Sequence, residues 1–152
     1  KVPAMSDGEL VMFESGAMVQ YLVDRYGKGK LQPEIGTADH ALYLQWSWFA
    51  EATFSRPLGE VVNHGREFPG DKEIPEVVEE MKNRASLSLD AVADEVANKE
   101  YLVANSFSAA DIMMGYTIML ADRLLGKPLP KKILPYWERL SEREGYQIAQ
   151  KA

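Results

Sequence analysis

Phe13-Glu14-Ser15-Gly16-Ala17-Met18-Val19-Gln20-Tyr21-Leu22 changes its hydrophobic period partway through. Upstream, Leu10-Val11-Met12-Phe13 is an apolar run of strand length, which reads as a strand buried on both faces. Downstream, Met18, Tyr21-Leu22 and Arg25-Tyr26 recur at helical spacing, and Gly27 suits the position just past a helix end. Ser15 stands where an N-cap belongs. Further back, Ser6-Asp7-Gly8 supplies a turn, so residues 2–13 read as a hairpin. Two strands and one helix are too little to fold alone, so this stretch needs the rest of the chain.

The rest reads as helix. Gly27 to Thr37 is rich in Gly, Pro and Lys without periodicity and is the linker candidate. From Ala38 to about Ser55 the chain is aromatic and apolar on several faces, and Pro57 is expected to kink or end that helix. Residues 63–74 read as a polar loop. From Pro75 to Val96 the apolar positions Val78, Met81, Ala85, Leu89, Val92 and Val96 step by three or four, which is one buried stripe. The Glu76–Glu80 cluster reads as that helix's solvated face. A further helix runs from Ser108 to about Leu125, and a last one starts near Pro135 and stops at Gly145.

Composition narrows the function. Over 152 residues, 17 Lys and Arg stand against 23 Asp and Glu, a net charge of −6 that offers no footprint for a phosphate backbone. No apolar run approaches the ~18–20 residues of a membrane-spanning helix. Nucleic-acid and membrane roles are therefore not expected. There is no cysteine, which excludes a disulfide scaffold, a cysteine-ligated zinc and a cysteine nucleophile in this segment. His40 and His64 lack a second ligand at metal spacing, so no metal is expected, and both read as surface residues.

Two constellations carry chemistry. A helix opening at Ser15 presents amide N–H groups with no intrahelical partner and a partial positive charge, which suits a carboxylate. Glu14 beside it is placed to hold an ammonium group, so the pair matches the head of an α-amino acid. The bland alternative is that both residues only start the helix. The second is Phe107-Ser108-Ala109-Ala110-Asp111-Ile112. Ser108 as N-cap and Asp111 three residues into the helix form a capping box, with Phe107 and Ile112 at the staple positions. That is a folding feature, since a buried Asp in so apolar a helix needs partners.

The run Lys1-Val2-Pro3, then Phe13 to Leu22, then Phe107 to Ile112, resembles the cytosolic glutathione transferase superfamily, in the right order along the whole chain. The resemblance implies an α+β chain: part of a thioredoxin-like glutathione-binding domain over residues 1–27, a linker over 28–37 and an all-helical domain over 38–152. By resemblance, Pro3 is the cis-proline before a strand and Val2 pairs with the cysteinyl backbone of glutathione. Glu14 and Ser15 grip its γ-glutamyl amino and carboxylate groups, and Lys1 reaches for its glycine carboxylate. The family's first strand–helix–strand unit carries the Tyr, Ser or Cys that stabilises the thiolate. No residue of this chain fills that role, and the protein as made is expected to be longer.

The implied activity is attack of the glutathione thiolate on a small apolar electrophile by a cytoplasmic homodimer, with glutathione as co-substrate and a detoxification role. Alternatives on the same fold are a glutathione-dependent isomerase, dehalogenase, etherase or peroxidase, or a non-catalytic interaction module. By analogy, the electrophile pocket is lined by the helix carrying Trp46 to Arg56 and by the Ser108 helix near Tyr116. Phe49, Thr53 and Tyr116 are the residues chosen for it. The aromatic stripe through Tyr43, Trp46, Trp48, Phe49 and Phe54 reads more readily as core and dimer surface than as pocket, and Arg56 reads as a surface residue.

Overall fold

The computed structural model describes residues 3–151, so Lys1 and Val2 lie outside the described residues. Strand β1 (Ala4–Asp7) pairs antiparallel with β2 (Leu10–Phe13), in a register that sets Met5 opposite Met12 and Asp7 opposite Leu10. The turn is Gly8-Glu9, with Gly8 at φ 61°, a backbone conformation that the first central residue of a two-residue hairpin loop requires. Helix α1 (Ser15–Tyr26) follows directly.

The expectation of a strand buried on both faces fails. Val11 is 74% and Phe13 63% exposed, and only Met12 of β2 is half-buried. The cause is that the sheet has two strands among the described residues, so one face rests near α1 while Ala4, Ser6, Val11 and Phe13 point the other way with nothing over them.

Helix α2 (Ala38–Trp48) runs into a π-helical segment, Phe49–Ser55, which passes into α3 (Arg56–Glu67) without a break. Pro57 therefore neither ends nor breaks the helix. It sits in the first turn of α3, where its missing N–H costs least, and the widened π segment before it absorbs the change of register. Ala50 O within that segment accepts a hydrogen bond from Thr117 Oγ1 at 3.4 Å. The expected loop over residues 63–74 begins only after Glu67 and contains a single 3₁₀ turn, Gly70–Lys72.

His64 corrects a second expectation. It is 8% exposed, stacks on Phe68 with ring centroids 4.9 Å apart, and its Nε2 accepts the Ile74 N–H at 3.0 Å. The imidazole thus closes the loop between α3 and α4 (Pro75–Glu95), which pack against each other.

Helix α5 (Ala109–Leu124) is the central element, packed against α1, α2, α3, α4, the π segment and α6 (Leu134–Ser141). The expected last helix is two: α6 stops at Ser141, Arg143 turns to an extended ψ of 136°, and α7 (Glu144–Ala149) starts again with Gly145 inside it. Fully buried Asp111 at the start of α5 accepts four hydrogen bonds. Ser108 N (2.8 Å) and Ser108 Oγ (3.0 Å) donate to Oδ2, and Leu102 N (3.0 Å) and Tyr136 Oη (2.9 Å) donate to Oδ1. Burial and the facing Asp111 carboxylate push the Tyr136 phenol well above its ordinary value, so it remains the donor.

Replacing Asp111 with Ala orphans four buried donor groups and is expected to lower stability by about 3 kcal/mol or more, whereas Tyr136→Phe removes one donor and costs about 1–2 kcal/mol. Urea unfolding of both variants measures this; a loss under 1 kcal/mol for Asp111→Ala would contradict the role given to the carboxylate.

Candidate functional site

The junction between β2 and α1 is where the expected binding residues meet. Glu14 occupies the position flanking the helix, with φ 72° and ψ 105°, and makes no side-chain cap to it. Ser15 is accordingly the first helical residue and not the N-cap, a correction to the sequence reading. Positive φ at a non-glycine residue is strained backbone, of the kind that concentrates at binding sites. The Met18 N–H closes the first turn onto Glu14 O at 3.0 Å, leaving the amides of Ser15, Gly16 and Ala17 ahead of the helical ladder. Pro3 is exposed and stands immediately before β1.

Two sets of contacts hold this junction. On the hairpin side, Asp7 Oδ2 accepts from Tyr21 Oη (2.7 Å) and Tyr26 Oη (2.5 Å) and pairs with Arg25 Nε at 3.2 Å. The two phenols, then the guanidinium, hold the Asp7 carboxyl below its ordinary value. On the helical side, Tyr43 Oη donates to Gln20 Oε1 at 2.8 Å, and the Gln20 amide donates to Asp24 (2.8 Å) and to Gln32 of the linker (2.9 Å). The linker is clipped as well: Leu31, itself at φ 67°, accepts the Ala109 N–H at 2.8 Å. A Cβ at Gly16 would lie 3.5 Å from Met113 Cε of α5, an ordinary van der Waals contact.

A cavity of about 630 Å³ opens beside the junction, between α1 and α2. Glu14, Gly16 and Ala17 line one end, and Ser47, Trp48 and Glu51 line the α2 side. A second cavity of about 750 Å³ lies across α5, between it and α6 and α7. Tyr116, 58% exposed, lines that second cavity together with Phe107, Ile112, Met119 and Leu140. Phe49 is half-buried with its ring 5.3 Å edge-on to Trp46, and Thr53 is exposed on the π segment. Neither lines either cavity, so the three residues chosen for the electrophile pocket do not share one.

The residue that sequence reasoning missed is Glu51. It is the only charged residue between Asp39 and Arg56, embedded in an aromatic stretch, and that isolation was a legible signal. Among the described residues no group of three His, Cys, Asp or Glu is placed to hold a metal ion, and no helix is long and apolar enough to cross a membrane.

A hairpin and helix docked through a clipped linker on a helical bundle is the architecture of glutathione transferases, part of the thioredoxin-like domain followed by the all-helical one. The solved structure of Ure2p5 from Phanerochaete chrysosporium, cocrystallised with 1-(S-glutathionyl)-2,4-dinitrobenzene, superposes with a TM-score of 0.87 over 99% of this chain and 74% of its own, at 20% identity. No family model matches the chain. A curated relative, glutathione S-transferase 3 of Schizosaccharomyces pombe, is 29% identical over 98% of this chain. A glutathione S-transferase of Silene vulgaris is 30% identical over 91% of this chain and 72% of its own length. The chain belongs to the glutathione S-transferase family. It spans 66% of the length of the S. pombe relative.

The Asp7 tie makes a pH prediction. A carboxyl with a lowered folded pKa stabilises the fold above its ordinary value of 3.8 and loses that contribution as pH falls through the lowered one. The melting temperature of the protein should exceed that of Asp7→Asn at neutral pH, and the difference should shrink toward zero under acid below the ordinary carboxyl value. A difference that persists or grows in acid would contradict it.

Proposed function

We propose that this chain is the larger part of a glutathione transferase and that the start of α1 is its receptor for the γ-glutamyl end of glutathione. The observation that carries the proposal is the β2–α1 junction. An exposed carboxylate on strained backbone adjoins a helix start whose first amides lie outside the helical ladder. The amides of Ser15 and Gly16, with the Ser15 hydroxyl, take the α-carboxylate, and Glu14 takes the ammonium. The names of the curated relatives support this reading, as does a glutathione conjugate in the Ure2p5 structure.

In this proposal Pro3 and, outside the described residues, Lys1 and Val2 complete the glutathione side. The bound thiol, ionised, attacks an electrophilic carbon of an apolar co-substrate. A free thiol has a pKa of about 8.5, so a donor to the thiolate is required at neutral pH. We assign that role to no residue of this chain. Of the three residues suggested for the co-substrate, Tyr116 is the one that borders a cavity. Phe49 and Thr53 serve as its alternatives. We further propose the division into residues 1–27, 28–37 and 38–152, a homodimeric assembly, and a cytoplasmic location.

Retention on immobilised glutathione tests the reading. Glu14→Gln keeps the length of the side chain and removes its charge, and with Ser15→Ala it should weaken retention about tenfold or more, the worth of a charge-assisted hydrogen bond. Wild-type retention by both variants would show that glutathione's head binds elsewhere.

A further inference from the structure

His64 is held by a bond that only the neutral imidazole can make. Its Nε2 accepts the Ile74 N–H at 3.0 Å, so that nitrogen keeps a lone pair and the ring's proton sits on Nδ1. Ile74 is the N-cap of α4, a position whose amide has no partner within the helix. Pro75 follows and holds Ile74 extended, at φ −105° and ψ 94°. Among the described residues the imidazole is the one acceptor this amide has. A second ring proton makes Nε2 a donor, and it then faces another donor.

Little else closes the loop. Among the described residues no other hydrogen bond runs from α3 to Ile74 or to α4. Every residue from 65 to 73 is exposed, and the 3₁₀ turn closes only on itself, Lys72 N–H to Pro69 O and Glu73 N–H to Gly70 O. The charged side chains of the elements that meet here are exposed, and none bonds to the ring. Helix α3 brings Glu60, Arg66 and Glu67, the loop Asp71, Lys72 and Glu73, and α4 Glu76 and Glu80. The last turn of α3 does not oppose a charge on His64, since a helix C-terminus favours a cation. What protonation removes is the acceptor.

We propose that His64 is an acid-sensitive latch on the loop between α3 and α4. Neutral, it pins the start of α4 to the end of α3; protonated, it releases residues 68–74. Phe68, whose ring stacks on the imidazole at 4.9 Å, goes with the loop. Histidine is the side chain that changes charge between about pH 5 and pH 8, so the latch is closed at neutral pH and opens in mild acid. The packing of α3 on α4 is untouched, which keeps the opening local. This goes beyond the glutathione reading and does not rest on it.

Amide hydrogen exchange of the full chain by NMR, at about pH 8 and about pH 5, tests this, with each rate corrected for intrinsic exchange. Protection of the Ile74 amide should fall about fivefold or more in acid, the worth of one hydrogen bond, while that of Val92, buried in α4, is kept. His64→Phe retains a ring to stack on Phe68 but has no acceptor, so Ile74 should exchange fast at both pH values. The imidazole nitrogen spectrum of the wild-type chain, which needs no variant, should show Nε2 without a proton at the higher pH and with one at the lower. Constant Ile74 protection, or a proton on Nε2 at the higher pH, would overturn the proposal. So would an acid loss that His64→Phe shares, or one that Val92 follows in parallel, because the whole chain would then be loosening.

Discussion

One buried carboxylate organises this protein. Asp111 lies at the foot of the central helix with no solvent to share its charge, and each oxygen is claimed by two donors. Those donors come from three places: the residue that starts α5, the loop ahead of it at Leu102, and Tyr136 of α6. A single side chain thereby sets where α5 begins, where the preceding loop passes and how far α6 approaches. An uncompensated charge in such a position would be prohibitive, so the four bonds act as a set. The adjoining Ala109 N–H then takes the Leu31 carbonyl, which fixes the linker to the same point. The start of α5 is therefore also where the hairpin part is anchored.

The sequence was most informative where chemistry and period agreed. Ser108 and Asp111 at capping-box spacing, ahead of an apolar run, predicted both the helix start and the need for buried partners, and the structure supplies two further donors that spacing alone cannot name. The stripe from Val78 to Val96 found α4 nearly to the residue. Residue type misled where tertiary context decides. A serine before a helical period looks like an N-cap, yet the chain turns one residue earlier, at a Glu whose positive φ no propensity announces. Pro57 looks like a stop, but a π segment just ahead of it admits the ring. His64 reads as solvent-facing until the Ile74 amide, ten residues on, is seen to need an acceptor. Leu10 to Phe13 has the composition of an inner strand, but burial of a strand depends on neighbours, which its own residues do not encode.

Helix α5 also partitions the molecule. Met113 faces the cavity beside the β2–α1 junction, while Ile112 and Tyr116 face the one closed by α6 and α7. A helix turns about 100° per residue, so the adjacent residues Ile112 and Met113 face different spaces. The helix is apolar nearly all round because it is packed on one side and walls a cavity on each of two others.

The strained residue at the junction is stable only because both of its flanks are fixed. Before it, the hairpin is tied to the far end of α1 through Asp7, Tyr21, Tyr26 and Arg25. After it, α1 is held to the bundle by the Gln20–Tyr43 bond and by its packing against α5. With the two ends of the segment set independently, one residue must absorb the mismatch, and Glu14 does so at φ 72°. The consequence is that its carboxylate and the leading amides of α1 are carried by a backbone with little freedom to rearrange. Groups held that way lose little entropy when a charged ligand arrives. The bundle, though it contributes few of the groups at the junction, supplies the rigidity that holds them in place.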